Sequence, residues 1–174
     1  STTYDSTNVF TLSNTLRLEL LKSDSVKSQA LNRLAVGAQY DFHRVAYDSV
    51  FSEQIHNVSV LANVDGELFD KINWKASGNL MLYGYNIWDF KVDGQFDYSV
   101  GKSHFSAFVN YSLFRPDYIT NRYTSNHFRW DNAWLQTQHL KTGLTYEQSK
   151  LRFRGSFTYH VLDNLVVFGT GRTP

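Results

Sequence analysis

The sequence predicts an all-β protein: an antiparallel transmembrane β-barrel with about ten strands present, which form part of a larger barrel. Three observations predict this fold. Side-chain character alternates with a period of two, most of the alternating runs are about 9 to 13 residues long, and aromatic residues are abundant. The chain of 174 residues contains 11 Tyr, 13 Phe and 4 Trp but only 2 Pro. Aromatic and β-branched side chains fit a pleated surface better than a helix.

The alternation recurs along the chain. Successive side chains of a strand point to opposite faces, so a strand with one apolar face alternates by two. In the clearest run, Ile72 and Trp74 alternate with Lys71 and Lys75. The runs cover residues 16–20, 34–42, 58–65, 71–82, 90–98, 105–113, 140–146 and 151–160. Each run therefore predicts a strand with one apolar and one polar face.

The length of the runs separates a membrane sheet from a soluble one. A tilted membrane strand needs ~9–11 residues, whereas a soluble strand typically has ~5–6. Outer-membrane barrels also alternate short turns with long loops. Short connections are predicted at residues 65–70, 99–103, 135–137 and 161–164, and long ones at 43–54 and 115–126. The intervening connections at 85–87 and 148–150 are also tight, and residues 22–32 break the rule. No apolar run reaches the ~18 residues of a membrane helix, which excludes a helical membrane protein.

The polar face of a membrane barrel lines its lumen. The predicted lumen-lining residues carry charges of both signs, which would keep the lumen wet and bias the passage of small solutes or ions. They are Lys71, Lys75, Lys91, Asp93, Asp97, Lys141, Glu147, Arg152 and Arg154. The alternative is that these charges form cross-strand pairs that stabilise the wall or fill a narrow barrel.

Aromatic residues cluster near the predicted strand ends, as they do at the two interfaces of a membrane barrel. The predicted membrane-interface residues are Tyr83, Tyr85, Trp88, Tyr98, Trp130 and Trp134. The alternative is a soluble core that is rich in Tyr and Trp.

Composition and motifs argue against several other classes. The formal net charge is +1, with Lys and Arg spread among Asp and Glu, which gives no electrostatic reason to expect a nucleic-acid partner. The absence of Cys excludes disulfides and thiolate metal sites. None of the six His has partners at metal-ligand spacing, and no hydrolase or nucleotide-binding fingerprint occurs. We therefore expect no enzyme activity, no catalytic residues, no metal and no cofactor.

Two segments, residues 118–132 and 159–168, resemble the putative porins of the Bacteroidota outer membrane. In that family a Ser-Asn-His-aromatic stretch followed by Trp-Asp-Asn opens a strand after a long loop, here Ser125 to Asn132. A Tyr followed by Leu-Asp-Asn closes a hairpin, here Tyr159 to Asn164. The family's barrels are much longer and usually finish on an aromatic residue, whereas this chain finishes on Pro174. The resemblance thus implies that residues 1–174 are a single internal segment of a larger transmembrane barrel.

The resemblance and the pattern together predict a porin-like barrel of the bacterial outer membrane that allows passive diffusion of small solutes or ions. Its partners would be outer-membrane lipid and those solutes. The alternative is a structural or accessory barrel subunit of a larger outer-membrane assembly, with a plugged lumen and loops that bind other outer-membrane proteins. Two further classes are a barrel enzyme and a soluble β-sandwich or jelly roll that binds glycans through exposed Trp and Tyr.

Overall fold

Antiparallel strands make up almost all of the computed structural model, which describes residues 6–21, 30–47, 51–69, 71–124 and 129–167. The elements in chain order are β1 (Thr7–Leu21), β2 (Arg33–Tyr47), β3 (Phe51–Leu68), β4 (Ile72–Tyr83), β5 (Phe90–Val100), β6 (Ser103–Phe114), α1 (Tyr118–Asn121), β7 (Arg122–Thr124), β8 (Arg129–Asp131), β9 (Thr137–Gln148) and β10 (Phe153–Asp163). Among the described residues, no helix is both long and apolar enough to cross a membrane.

Eight of the strands form one sheet in the order β1-β2-β3-β4-β5-β6-β9-β10, and every neighbouring pair is antiparallel. Strands β7 and β8 form a separate two-stranded ribbon. This ribbon and α1 belong to residues 115–136, which we call the β6–β9 connection. The sheet is therefore a meander with one elaborated connection.

The prediction of an all-β antiparallel fold is confirmed, but the described strands do not close into a barrel. Strand β1 pairs only with β2 and β10 only with β9 in the part of the chain that the structure describes. Eight strands, rather than about ten, run through the sheet. Strands β7 and β8 have 3 residues each, far fewer than the ~9–11 that a membrane strand needs.

Two predicted connections differ from the structure. The long connection expected at residues 43–54 is wrong, because β2 continues to Tyr47 and β3 begins at Phe51. The hairpin expected to close by Asn164 is also displaced, because β10 continues to Asp163 and Asn164 follows it with a φ of 57°. Of the strand start expected at residues 125–132, residues 125–128 lie outside the described ranges and Arg129–Asp131 form β8.

The β2–β3 hairpin and β1 extend beyond β4 and the strands that follow it. Strand β4 pairs with β3 only from Val58 to Leu68, so residues 51–57, their β2 partners 41–47 and the β1 residues 7–13 opposite these form an overhang. Of the four buried apolar residues in the described ranges, three lie here: Val45, Tyr47 and Ile55. The principal apolar core of the described residues therefore sits in the overhang and not in the body of the sheet.

Candidate functional site

The register separates the side chains of the sheet body into a polar face and an apolar face. One row across the polar face contains Ala35, Asn63, Ser77, Asp93, Asn110, Lys141 and His160. The adjacent row, on the apolar face, contains Leu18, Val36, Ala62, Gly78, Val92, Tyr111, Leu140 and Val161. The alternation in each strand is thus aligned with that of its neighbours, and both faces are continuous.

The apolar face is the exposed one. Leu16 is 73% exposed and Phe157 is 64% exposed on this face, whereas Ser59 on the polar face is only 1% exposed. A soluble antiparallel sheet buries its apolar side chains against a core and presents its polar side chains to water. The arrangement here is the reverse, which is the pattern of a sheet whose apolar face contacts lipid.

The two faces exchange their character at one level of the β2–β3 hairpin. In β2 the apolar side chains are even-numbered up to Phe42 and odd-numbered from Val45 onwards. In β3 they are odd-numbered at Ile55 and even-numbered from Val58 onwards. Because Phe42 pairs with His56 without any shift in register, the exchange lies at the same height in both strands. Above this level the sheet has the amphipathic pattern of a protein in water.

Aromatic rings cluster at the height where the two faces exchange their polar and apolar character. The ring centroid of Phe42 lies 6.4 Å from that of Phe10 and 5.3 Å from that of His56. The hydroxyl oxygen of Tyr40 is 2.7 Å from Nδ1 of His56. We call Phe10, Tyr40, Phe42 and His56 the upper belt. Rings with one wet and one apolar side are typical of the membrane interface.

A second row of rings crosses the opposite end of the apolar face. Consecutive centroid distances are 6.3 Å from Tyr98 to Phe105, 4.7 Å from Phe105 to Tyr146 and 6.3 Å from Tyr146 to Phe153. We call these four residues the lower belt. Twelve residues of β3 separate His56 from Leu68, which lies on the row of Tyr98, so at ~3.3 Å per residue the belts are about 40 Å apart along the strand. A strand tilted by ~35–45° needs about this length to cross a hydrocarbon core of ~30 Å.

The six aromatic residues predicted at the membrane interface occupy three kinds of position: the apolar face, exposed connections and packed connections. Tyr98 lies in the lower belt, and Tyr83 lies on the apolar face opposite Val58. Trp88 and Trp134 are exposed in connections between strands.

Tyr85 and Trp130 lie inside packed connections instead of on the apolar face. Tyr85 donates a hydrogen bond of 2.9 Å to the carbonyl oxygen of Pro116. Trp130 stacks on Tyr123 with 4.5 Å between centroids and donates to the carbonyl oxygen of Thr120 at 3.1 Å. Sequence reasoning missed the upper belt, because Phe10 and His56 lie outside the predicted alternating runs, while Tyr40 and Phe42 were assigned only to the apolar face of the run 34–42.

Asp93 is the centre of a hydrogen-bonded group on the polar face. Its carboxylate accepts hydrogen bonds from Ser77 Oγ at 3.3 Å and from Asn110 Nδ2, and lies 3.3 Å from the Lys91 ammonium. Asp93 therefore joins β4, β5 and β6 through side chains as well as through the backbone. The Lys91–Asp93 pair lies within β5, so it is not one of the cross-strand pairs that were the alternative to a lumenal role.

The other predicted lumen-lining residues are distributed as follows. Asp97 accepts a 2.8 Å hydrogen bond from Gln95, and Lys141 lies 5.6 Å above the ring centroid of Phe108. Positions on the polar face are also occupied by Lys75, opposite Asp65 and Gln95, and by Glu147, opposite His104 and Arg154. Lys71 and Arg152 lie in the turns before β4 and β10. The structure thus brings seven of the nine residues onto the polar face.

The β6–β9 connection folds onto the side of the overhang that continues the polar face. The Tyr47 hydroxyl donates a 2.9 Å hydrogen bond to the carbonyl oxygen of Arg122. The Arg122 guanidinium lies 3.4 Å from the Glu53 carboxylate, and the Tyr123 ring meets that of Tyr47 edge-on at 5.3 Å. The connection is therefore fixed to β2 and β3, although it leaves the sheet from β6.

The same connection is fixed a second time by Asp89, which is buried at the end of the β4–β5 connection. The Asp89 carboxylate accepts hydrogen bonds from Asn86 Nδ2 at 2.7 Å, the Arg115 backbone N–H at 2.9 Å and Gln136 Nε2 at 2.7 Å. Burial raises the pKa of the nearby Tyr85 phenol above its ordinary value. Asp89 therefore anchors the connection at both of its ends, Arg115 and Gln136.

One group of side chains has the composition of a nucleophilic triad. Ser99 Oγ lies 2.9 Å from Nδ1 of His104, whose Nε2 is 3.6 Å from the Asp97 carboxylate. A separation of 3.6 Å is too long for the hydrogen bond that would orient the imidazole. In the described ranges, no group of three or more His, Asp or Glu side chains could hold a metal ion.

An antiparallel sheet with an exposed apolar face between two aromatic belts, and with a hydrogen-bonded polar face, is the arrangement found in the walls of membrane pores. The chain belongs to the family described as "Putative porin", whose family model matches residues 1–174. The resemblance to that family is thus confirmed over the whole chain. Comparisons with curated proteins and with solved structures find no match.

Proposed function

We propose that this chain forms part of the wall of a porin-like barrel in the bacterial outer membrane, through which small solutes or ions diffuse passively. The observation that carries the proposal is the exchange of faces at Phe42 and His56. A sheet that stays in water has no reason to exchange its faces in two paired strands at one height. A sheet that leaves a bilayer at this height has such a reason, because the medium that surrounds it changes from lipid to water.

The proposal assigns lipid to the apolar face of the sheet and water to its polar face. The apolar face between the belts contacts lipid, and the overhang extends into water with Val45, Tyr47 and Ile55 covered by the β6–β9 connection. The polar face lines a water-filled lumen, with Lys75, Lys91, Asp93, Asp97, Lys141, Glu147 and Arg154 in its wall and Lys71 and Arg152 at its rim. The family description supports the same function.

The free edges of β1 and β10 must be paired if the sheet lies in a bilayer. Lipid offers no hydrogen-bonding partner, and each unsatisfied backbone group there costs several kcal/mol. A barrel of ~8 strands is filled by its own side chains, whereas ~16 strands enclose an aqueous channel. We therefore propose that further strands pair with both edges and complete a wider barrel.

Conductance measurements on the full-length protein in planar lipid bilayers test the proposal. Discrete conductance steps are expected from the wild type. Ser77→Trp places a large ring on the polar face and is expected to lower the size of each step. The matched control Ala76→Trp places the same ring on the apolar face and leaves the step size unchanged. Wild-type protein that inserts into bilayers without any conductance would overturn the proposal.

The alternative function is a structural or accessory barrel in a larger outer-membrane assembly. The docking of the β6–β9 connection favours it, because a connection fixed on the side of the overhang that continues the polar face stands at one end of the lumen and would obstruct it. A barrel that conducts no ions and co-purifies with stoichiometric outer-membrane proteins would support this alternative over diffusion.

A further inference from the structure

We infer that the middle of the polar face attracts and transiently binds small anionic solutes, through the uncompensated ammonium groups of Lys75 and Lys141. This inference rests on the proposed pore function and adds the chemical class of the solute. It follows from the way in which the charges of the polar face are paired.

A pocket of about 280 Å³ lies on the polar face and is lined by residues from five neighbouring strands, β2 to β6. Its lining includes the charged residues Arg33, Asp65, Lys75 and Asp93. The amide side chain of Asn63 also lines the pocket and can donate hydrogen bonds. The pocket is therefore a polar recess at mid-height of the sheet.

The carboxylates in this recess are already paired with cations. Asp65 lies 2.7 Å from Nε of Arg33, and Asp93 lies 3.3 Å from the Lys91 ammonium. Asp93 also accepts hydrogen bonds from Ser77 and Asn110. Neither carboxylate is left free to attract a cation from solution.

Two cations remain without such a partner. Lys75 stands directly opposite Asp65, but Arg33 holds that carboxylate. Among the described residues, no carboxylate lies within 4.0 Å of the ammonium of Lys75 or of Lys141. Lys141 instead lies above the ring of Phe108, which also lines the pocket. In the middle of the polar face Arg33, Lys75, Lys91 and Lys141 therefore stand against Asp65 and Asp93. The polar-face carboxylates Asp97 and Glu147 lie next to the lower belt, beside Tyr98 and Tyr146.

An excess of positive charge on a pore wall favours anions. Charged side chains that line a pore select ions of opposite sign, and the low-dielectric wall focuses their field into the lumen. The nearby amide of Asn63 can donate hydrogen bonds to a bound oxyanion. Chloride and inorganic phosphate are the simplest members of this class and serve as probes.

The test compares variants of the full-length protein in planar bilayers under a KCl gradient, with the reversal potential giving the ratio of chloride to potassium permeability. The wild type is expected to prefer chloride. At ~0.1 M salt each ammonium within ~8 Å of the ion path changes the ratio by about twofold. Lys75→Gln and Lys141→Gln together should therefore lower the ratio by about fourfold. Lys150→Gln, in the exposed turn between β9 and β10, is the control and should leave it unchanged.

Inorganic phosphate provides a second readout. Added to the bilayer chamber, it should reduce the chloride current of the wild type and of the Lys150→Gln control, but not that of the double variant. Circular dichroism checks that the double variant retains its β-sheet content. A folded double variant that conducts with an unchanged permeability ratio would overturn this inference while leaving the pore function intact. Absence of conductance in the wild type would instead overturn the proposed function, and this inference with it.

Discussion

Phe42 of β2 lies directly opposite His56 of β3, with 5.3 Å between their ring centroids, and above this pair both strands exchange their polar and apolar faces. The exchange occurs in an unbroken ladder from Arg33 to Tyr47, so its cause is a change of residue type and not of backbone geometry. It divides the sheet into a body suited to lipid and an overhang suited to water.

The buried carboxylate of Asp89 is expected to hold the β6–β9 connection in place. Asp89→Ala leaves the donors of Asn86, Arg115 and Gln136 without their acceptor. Loss of a partner for buried donors costs about 2 kcal/mol. The connection should then become more sensitive to limited proteolysis. Asp117→Ala is the control, because Asp117 is exposed and makes no capping hydrogen bond; equal cleavage of both variants would contradict the prediction.

Alkaline pH should release the same connection. Burial is the main cause that raises the pKa of Tyr85 above 10.0. The folded state therefore favours the protonated phenol, which donates a hydrogen bond to the carbonyl oxygen of Pro116. The unfolded chain loses this proton first as the pH rises. The stabilisation is therefore complete below about pH 10 and is lost above it.

Proteolysis at increasing pH measures this effect. Wild-type cleavage within residues 115–136 should increase above about pH 10. In Tyr85→Phe this part of the pH dependence should be absent, while cleavage at neutral pH is higher because a hydrogen bond worth ~1 kcal/mol is missing. Identical pH profiles for the wild type and the variant would contradict the assignment to Tyr85.

Removal of the Asp93 carboxylate is expected to increase anion permeation. Asp93→Asn leaves Lys91 without its partner at 3.3 Å and so adds one uncompensated cation to the polar face. The ratio of chloride to potassium permeability should rise by about twofold at ~0.1 M salt. Asp163→Asn changes the net charge equally but lies at the end of β10, on the opposite side from His160, and should have no effect. A fall in the ratio for Asp93→Asn would be inconsistent with the charge pairing.

The sequence predicted the strands correctly where one face of the strand is apolar and the other is polar along the whole strand. Regular alternation from Ile72 to Leu82 located β4, and the same pattern located β5 and β6. It failed at residues 43–54, because the exchange of faces next to Phe42 interrupts the alternation and resembles the end of a strand. A connection was therefore expected where the structure has the overhang.

Contacts between distant parts of the chain lay beyond sequence reasoning. Tyr85 was expected at the membrane interface because it is aromatic and near a strand end. Its position is decided by Pro116 and Tyr118, whose approach depends on the path of the β6–β9 connection. The pairing of charges on the polar face likewise depends on the register of the strands. Arg33 and Lys75 both stand opposite Asp65, and only the structure distinguishes them.

The central claim is that the exposed apolar face between the belts contacts lipid. Val60 and Gln54 both lie in β3, both are even-numbered and both are exposed. Val60, 39% exposed, stands on the apolar face below the exchange, whereas Gln54 stands above it. An arginine near the bilayer midplane costs about 2–4 kcal/mol, and one near or beyond the interface about 0–1 kcal/mol.

The most direct measurement is the free energy of unfolding of the full-length protein from phospholipid vesicles, for the wild type, Val60→Arg and Gln54→Arg. The account predicts that Val60→Arg lowers this free energy by about 2–4 kcal/mol, while Gln54→Arg changes it by less than about 1 kcal/mol. If both faces of the sheet were in water, both substitutions would be tolerated. Equal and small effects of Val60→Arg and Gln54→Arg would therefore contradict the account.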